Sequence, residues 1–326
     1  MKSIKLLPLI AVSLLISATI CACSTQSSES APPSEKEPGT ITVKVVATQN
    51  FGKELMFDET LEVLPDTSAM AALMEVAEVE STYGGGFVNA INGVRSEFTG
   101  SQKTKADWFF YINGIQSNVG ALDYKLHDGD VQHWNFHIWS FRHFIPAIID
   151  GFPSAFRHGF GGKVSPTLIV CQDNMKESAQ KLAEKLVKLG VNNISLRSFR
   201  ELAESEKESS NLILVGLPGN NLISELNQNW QRLGVFTYFE NGNLIALDSR
   251  GEVNAKYGAG TGLIQATQNP WNPKGIGAGE NVVWLVSGTD EAGVESALDA
   301  LINHHGEFQY ACAVVVVDGE IIKVPQ

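Results

Sequence analysis

Hydrophobic and polar positions run along this chain in two rhythms, and the change falls after residue 163. In the first half, short apolar or alternating runs are separated by turn residues. The ITVKVVAT run beginning at Ile41 and the ELMFDETLEV run at 54–63 read as two strands, joined by a turn around Asn50 to Lys53. Pro65-Asp66-Thr67-Ser68 then opens a helix. Asp66 or Thr67 can cap it, and AMAALMEVAEV carries apolar residues at helical spacing. Gly84-Gly85-Gly86 ends that element by allowing backbone angles closed to other residues. Runs at 87–94, 107–115 and 130–139 follow as strands with Asn-Gly or Asp-Gly turn signals. A hairpin, one helix and further strands predict an α+β module with the helix packed across a mixed sheet.

In the second half, continuous apolar strands alternate with amphipathic helices. Strands are predicted at 167–172, 193–199, 211–218 and 281–288, and the ACAVVVVDGEIIKV segment closes the chain with more. Helices are predicted over 176–190, with Gly190 beyond the end, over NLISELNQNWQRLG, and over DEAGVESALDALINHHG. RELAESEKES reads as a polar helix or loop. This rhythm predicts parallel βαβ units covered on both faces, a doubly wound α/β domain. YGAGTG (257–262) and GIGAGE (275–280) fit no such unit and read as an irregular insert around NPWNP (269–273).

Length and composition place these elements in an order. Residues 1–22 read as a signal peptide and 23–39 as a disordered tether. Residues 40–140 form the first module, 141–163 an apolar, aromatic interdomain seam, and 164–326 the α/β domain. Of 326 residues, 39 precede Thr40, and the remaining 287 exceed the usual size of one domain. The tether is rich in Ser, Glu and Pro and has almost nothing to bury. The formal net charge is −12, and removing the signal with its two lysines leaves −14. Such an acidic chain, with no basic stripe, disfavours nucleic acid as a partner.

The N-terminus carries the sharpest signal. Lys2 and Lys5 precede an apolar run from Leu6 to Ile20, too short for a spanning helix, and Ile-Cys-Ala-Cys closes it at Cys23. This arrangement resembles the bacterial lipoprotein lipobox. The resemblance implies cleavage before Cys23, a lipid on that cysteine, and an extracytoplasmic protein tethered to the membrane. Cys171 and Cys312 then remain, either as two buried thiols or as a disulfide.

In the first module the run Trp108-Phe-Phe-Tyr111-Ile-Asn113-Gly114, then Gly120-Ala121, Tyr124, Asp128-Gly129-Asp130 and Trp134, resembles the transcobalamin-like C-terminal family, a domain of unknown function. The approach TYGGGFVNAINGV fits the same pattern. The resemblance implies a β-grasp-like fold and a small-molecule ligand, with a corrinoid such as cobalamin the candidate and no cofactor required. No stretch resembles the helical barrel that holds the other face of cobalamin in the vertebrate members. Trp108, Tyr111, Asn113 and Trp134 are the candidate ligand-binding residues. They read either as core and turn residues or as a shallow platform of rings and amides over residues 82–136. A sugar would ask for much the same residue types. His133 and His137 lie about 13 Å apart on one strand, too far for one metal ion, and read with His143 as surface or interface histidines.

In α/β sheets ligands sit past the carboxyl ends of the strands. The candidates there are Asp173, Gly219, Asn220, Thr289 and Asp290. GLPGNN could place a phosphate or carboxylate on helix amides, while Asn220, Thr289 and Asp290 are also natural helix caps. No GxGxxG, Walker lysine, GxSxG or HExxH motif occurs. The expectation is a binding protein with no catalytic or metal-ligating residues. The alternatives are a structural or interaction module of the envelope and an uncharacterised extracellular enzyme. VGLPGNN, NPWNP and VSGTDEAG in that order also resemble a C-terminal domain of archaeal surface-layer and envelope proteins, which implies structural or adhesive duty.

Overall fold

The structure, a computed structural model, describes residues 39–97 and 104–326. The signal peptide, the tether and the lipidation site at Cys23 lie outside the described residues.

The chain begins with strand β1 (Ile41–Gln49) and β2 (Glu54–Val63), an antiparallel hairpin. Asn50, Phe51 and Gly52 turn it, all three at positive φ. Helix α1 (Ala69–Val76) follows, capped by Ser68, whose Oγ accepts the Ala71 N–H at 3.1 Å. Neither expected cap is used; Asp66 sits in the preceding turn at φ 66°. The helix stops short of the predicted run, and its last residues become β3 (Val79–Thr82), which pairs with β4 (Phe87–Ile91) and β5 (Val94–Arg95) in a small sheet. Then come β6 (Ala106–Ile112), β7 (Ile115–Gln116) and β8 (Val131–Ile138). The main sheet has the order β2-β1-β8-β6-β7, with β1 and β8 parallel at its centre.

Both faces of this sheet are covered. Val43, Val45, Ala47, Trp108 and Trp134 pack with Leu73 of α1 on one side. Tyr111 and Phe51 point the other way and join Ile145, Ile148 and Phe236 in a core shared with the second half. Lys36–Gln326 accordingly form one compact unit. The seam contributes the short helix α2 (Ser154–Arg157), which buries Phe156 against Trp284.

The second half is built on a seven-stranded sheet. Its parallel part comprises β9 (Thr167–Cys171), β10 (Ile194–Ser198) and β11 (Asn211–Val215). Helix α3 (Lys176–Lys188) links the first two, and α4 (Glu204–Ser209) precedes the third. Helix α5 (Asn221–Gln228) leads into an antiparallel meander, β12 (Thr237–Glu240), β13 (Asn243–Leu247) and β14 (Val253–Tyr257). The chain then returns to the large sheet as β15 (Gly262–Gln268) and β16 (Val282–Gly288). Helix α6 (Glu291–Asn303), β17 (Ala313–Val317) and β18 (Glu320–Val324) complete it. The order is β10-β9-β11-β16-β15-β17-β18, with β16 parallel to β11 and the last three strands antiparallel to their neighbours.

The result is a mixed α+β chain in which the doubly wound rhythm extends over four strands only. Strands β12, β13 and β14 fall largely where the sequence reading assigns no element, and β15 follows the glycine-rich 257–262 stretch that reads as an irregular insert. Central strand β15 is hard to recognise because Gln265, Thr267 and Gln268 are polar. Each is buried and satisfied: Thr237 donates to Gln265, Thr267 donates to the Leu233 carbonyl at 3.1 Å, and Gln268 Nε2 donates to the Pro146 carbonyl at 2.9 Å. The glycines around it serve packing. A Cβ on Gly293 of α6 would stand 2.2 Å from the Thr261 carbonyl oxygen, and one on Gly288 would stand 2.5 Å from the Gly293 carbonyl carbon.

Candidate functional site

The four candidates of the first module separate by strand parity. Residues 108 and 111 are an odd number apart on β6, so their side chains leave opposite faces. Trp108 and Trp134 face α1, where Trp134 stacks on Phe110 with ring centroids 4.6 Å apart. Their indole N–H groups are already engaged, Trp108 with the Val94 carbonyl at 3.0 Å and Trp134 with Gln132 Oε1 at 3.2 Å. Tyr111 lies in the core shared with the second half, and burial raises its phenol pKa well above the usual value. Asn113 is fully buried in the turn after β6 at φ 53°. Its Nδ2 donates to Asp130 Oδ1 at 2.8 Å and to the Gly159 carbonyl at 2.9 Å, while Oδ1 accepts the Val131 N–H at 2.9 Å. The four residues do not form one platform.

The two tryptophans do border a cleft of about 160 Å³, together with Gly85, Gly86, Phe110 and Gln116. Beside it stands an apolar rim. Tyr83 is 91% exposed, and Val119 and Leu122 are 44% and 43% exposed. A Cβ on Gly85 would contact Leu122 at 3.4 Å, so the glycine turn and the 119–122 loop adjoin. Tyr83 holds φ 53°, a conformation rarely adopted by a bulky residue, and Gly84 and Gly85 continue in the left-handed region at 66° and 97°.

Of the surface and interface positions expected for them, His133 and His137 take the second, buried on the face of β8 that meets the seam and the second half. His133 Nδ1 lies 2.8 Å from Asp150 Oδ2, and its Nε2 lies 2.7 Å from Thr48 Oγ1. His137 is sandwiched between Phe51 and Phe109, centroids 4.3 and 4.1 Å away, and Nδ1 meets Asn135 Oδ1 at 2.5 Å. Burial, aided by His133, lowers the His137 pKa to about 3. His133, Asn135 and His137 of β8 face the second half, which the alternating pattern alone could not distinguish from water. No group of three or more His, Cys, Asp or Glu suited to a metal ion occurs among the described residues. Cys171 and Cys312 are both free.

In the second half Asp173, Gly219 and Asn220 are brought together, Thr289 borders a neighbouring pocket that Gly219 also lines, and Asp290 lines neither. The first three line a cavity of about 720 Å³ at the carboxyl ends of β9, β10 and β11, with Phe199 and Arg200, which the sequence reading missed. Both follow directly on β10, and that position was the available signal. Asn220 also caps α5, its Oδ1 accepting the Leu222 N–H at 3.0 Å. Asp290 caps α6 through the Gly293 N–H at 2.9 Å and also accepts the Gly260 N–H at 2.8 Å. Thr289 Oγ1 donates to the Gly258 carbonyl at 2.9 Å and accepts the Thr261 N–H at 3.1 Å. These two residues tie the loop before β15 to the start of α6.

Comparison with known proteins bears on the first module. Residues 66–137 match the family model described as Domain of unknown function (DUF4430). Among solved structures the chain is similar to haptocorrin in complex with Cbi, at 13% identity and a TM-score of 0.24, over 30% of this chain and 25% of that one. It is also similar to a proposed metal binding protein from Ruminococcus gnavus ATCC 29149, at 19% identity and a TM-score of 0.22, over 30% of this chain and 96% of that one. The chain thus spans about a quarter of the haptocorrin chain it matches. No curated protein matches it.

Proposed function

We propose that the protein is a lipid-anchored, extracytoplasmic ligand-binding protein whose first module presents the binding face, with a corrinoid as ligand. The observation that carries this reading is the apolar rim of Tyr83, Val119 and Leu122 standing beside the tryptophan-floored cleft. Clustered, exposed apolar side chains at a polar-edged cleft mark interaction sites. A corrin has broad apolar faces and a fringe of amides, which suits this rim and the neighbouring Gln116 and Ser117. The cleft is below the roughly 300 Å³ of a pocket that engulfs a drug-sized ligand, so the ring would rest on the rim and insert only an edge. The resemblance of the module to the transcobalamin-like family supports the ligand class, and the lipobox and tether support the location.

Absorbance titration of cobinamide and cobalamin with the chain starting at Lys36 tests the ligand. Saturable binding with Kd at or below about 100 μM, a weak specific affinity, is expected. No spectral change at that concentration with either corrinoid overturns the corrinoid reading.

A further inference from the structure

The 720 Å³ cavity lies at the other kind of site, where the α/β sheet reverses its direction of growth. The chain enters the sheet at β9, adds β10 on one side, then crosses back to add β11 on the other. The connections therefore leave β9 and β11 toward opposite faces: α3 packs in the core with Phe156 and Trp284, and α5 in the core with Phe236 and Leu244. Such a reversal opens a crevice outside the carboxyl ends of the two strands, the usual ligand site of open α/β sheets. Here the crevice measures about 720 Å³, within the range of small-molecule pockets.

Its floor is braced. Gln172 Oε1 accepts the Leu217 N–H at 2.8 Å, and Gly216 admits that side chain where a Cβ would stand 2.7 Å from the same oxygen. Its walls remain open to a ligand. Phe199 and Leu222 are half-buried, and the space beside Gly219 is empty to 4 Å from where a Cβ would stand. The side chains of Arg200 and Asp173 line the cavity, and neither has a hydrogen-bond or ion-pair partner among the described residues. Their formal charges offset each other, leaving the start of α5 at the cavity wall to favour negative charge.

We propose that this cavity binds a small hydroxylated organic anion, a phosphate or carboxylate attached to a sugar-like or nucleoside body. Arg200 and the Gly219 and Asn221 amides take the anionic group, the Asn220 amide being held by the Leu217 carbonyl, while Asp173 accepts from ligand hydroxyls and Phe199 and Leu222 cover the less polar face. The site is separate from the corrinoid face, and its occupancy does not depend on that reading.

Isothermal titration of the full chain in detergent micelles with AMP, glucose 6-phosphate and gluconate, and with adenosine and glucose as their neutral counterparts, tests the proposal. At least one anion should bind with Kd below about 1 mM, at least tenfold tighter than a neutral counterpart. Arg200→Ala should weaken it at least tenfold. Gly219→Leu, which fills the cavity without changing charge at a position free of positive φ, should abolish it. Tyr83→Ser should leave it unchanged, which separates this site from the corrinoid face. Unchanged thermal midpoints in the Arg200 and Gly219 variants certify their folding. No binding by any of the three anions at about 10 mM, equal binding by the neutral compounds, or binding that survives both cavity variants overturns the proposal.

Discussion

His133 of β8 is joined to Asp150 of the seam, Nδ1 to Oδ2 at 2.8 Å. Asp150 also accepts the Tyr310 N–H at 2.6 Å, and the Tyr310 hydroxyl donates to Asp58 of β2 at 2.6 Å. Asp58 in turn pairs with Lys44 at 2.8 Å. A polar chain therefore runs from the outer hairpin through the seam to the center of the first sheet. Burial alone would raise the Asp150 pKa, but His133 and the hydrogen bonds of Tyr310 and Gly151 outweigh it and hold the carboxyl below its ordinary value.

Removing the carboxylate should be costly. Asp150→Ala strands His133 and the Tyr310 amide in the interior, and each buried polar group left without its partner costs about 1–3 kcal/mol. Urea unfolding should show a lower midpoint and a free energy of unfolding reduced by that amount.

Acid should act through His137, with His158 and His305, which burial shifts in the same direction, adding to it. Its folded pKa of about 3 lies below the ordinary 6.5 because the folded state keeps the ring neutral between Phe51 and Phe109. With the folded pKa depressed, the stabilisation is complete above pH 6.5 and is lost as pH falls from 6.5 toward 3, where only the unfolded chain takes up the proton. The slope is about 1.4 kcal/mol per pH unit for this one group. Asp150 has the same sign, adding loss only below the ordinary carboxyl pKa. Unfolding curves from pH 7 to 4 should show the slope, and His137→Phe, which keeps the ring stack, should flatten it. An equal slope in the variant would assign the acid sensitivity elsewhere.

These histidines show where the sequence stops being legible. The strand 131–138 was plain from its alternation, yet that pattern sorts side chains into two sets without saying what covers each. Gln132, Trp134 and Phe136 face α1, and His133, Asn135 and His137 face the second half. A polar set facing another domain looks the same in sequence as one facing water. The strands β9, β11 and β16 were readable because burial on both faces leaves each an unbroken apolar run, at 168–171, 212–215 and 282–286. β15 was not, since its glutamines are satisfied by groups far away in sequence. The separation of Trp108 from Tyr111 was available from parity, and the cavity residue Arg200 from its place at a strand end.

The seat of α6 on the sheet gives a steric prediction. Gly293→Ala would bring a methyl against the Thr261 carbonyl, and overpacking of this kind costs roughly 1–3 kcal/mol. Gly258→Ala adds the same methyl in open space without positive φ. Differential scanning should show a clear fall in Tm for the first and little change for the second.

Tyr83 tests the corrinoid face without disturbing the core. At 91% exposure its loss should not lower stability, and relief of positive φ at this position favours small or flexible replacements. Tyr83→Ser should weaken cobinamide binding about tenfold, equivalent to about 1.4 kcal/mol, with an unchanged Tm. Full affinity in the variant would place the ligand elsewhere on the module.

The anchor prediction rests on residues outside the described structure. Ile20-Cys21-Ala22-Cys23 ends a 15-residue apolar run and is followed by a polar stretch through Gly39, which would serve as a spacer. One acyl chain holds a protein only marginally, whereas two or more hold it firmly. A lipidated Cys23 should therefore keep the protein with membranes through a high-salt wash. Cys23→Ser should release the folded protein or leave the precursor uncleaved. A variant that is cleaved normally and stays membrane-bound would transfer the anchoring role to another surface, with the aromatic seam at 141–160 the first to examine.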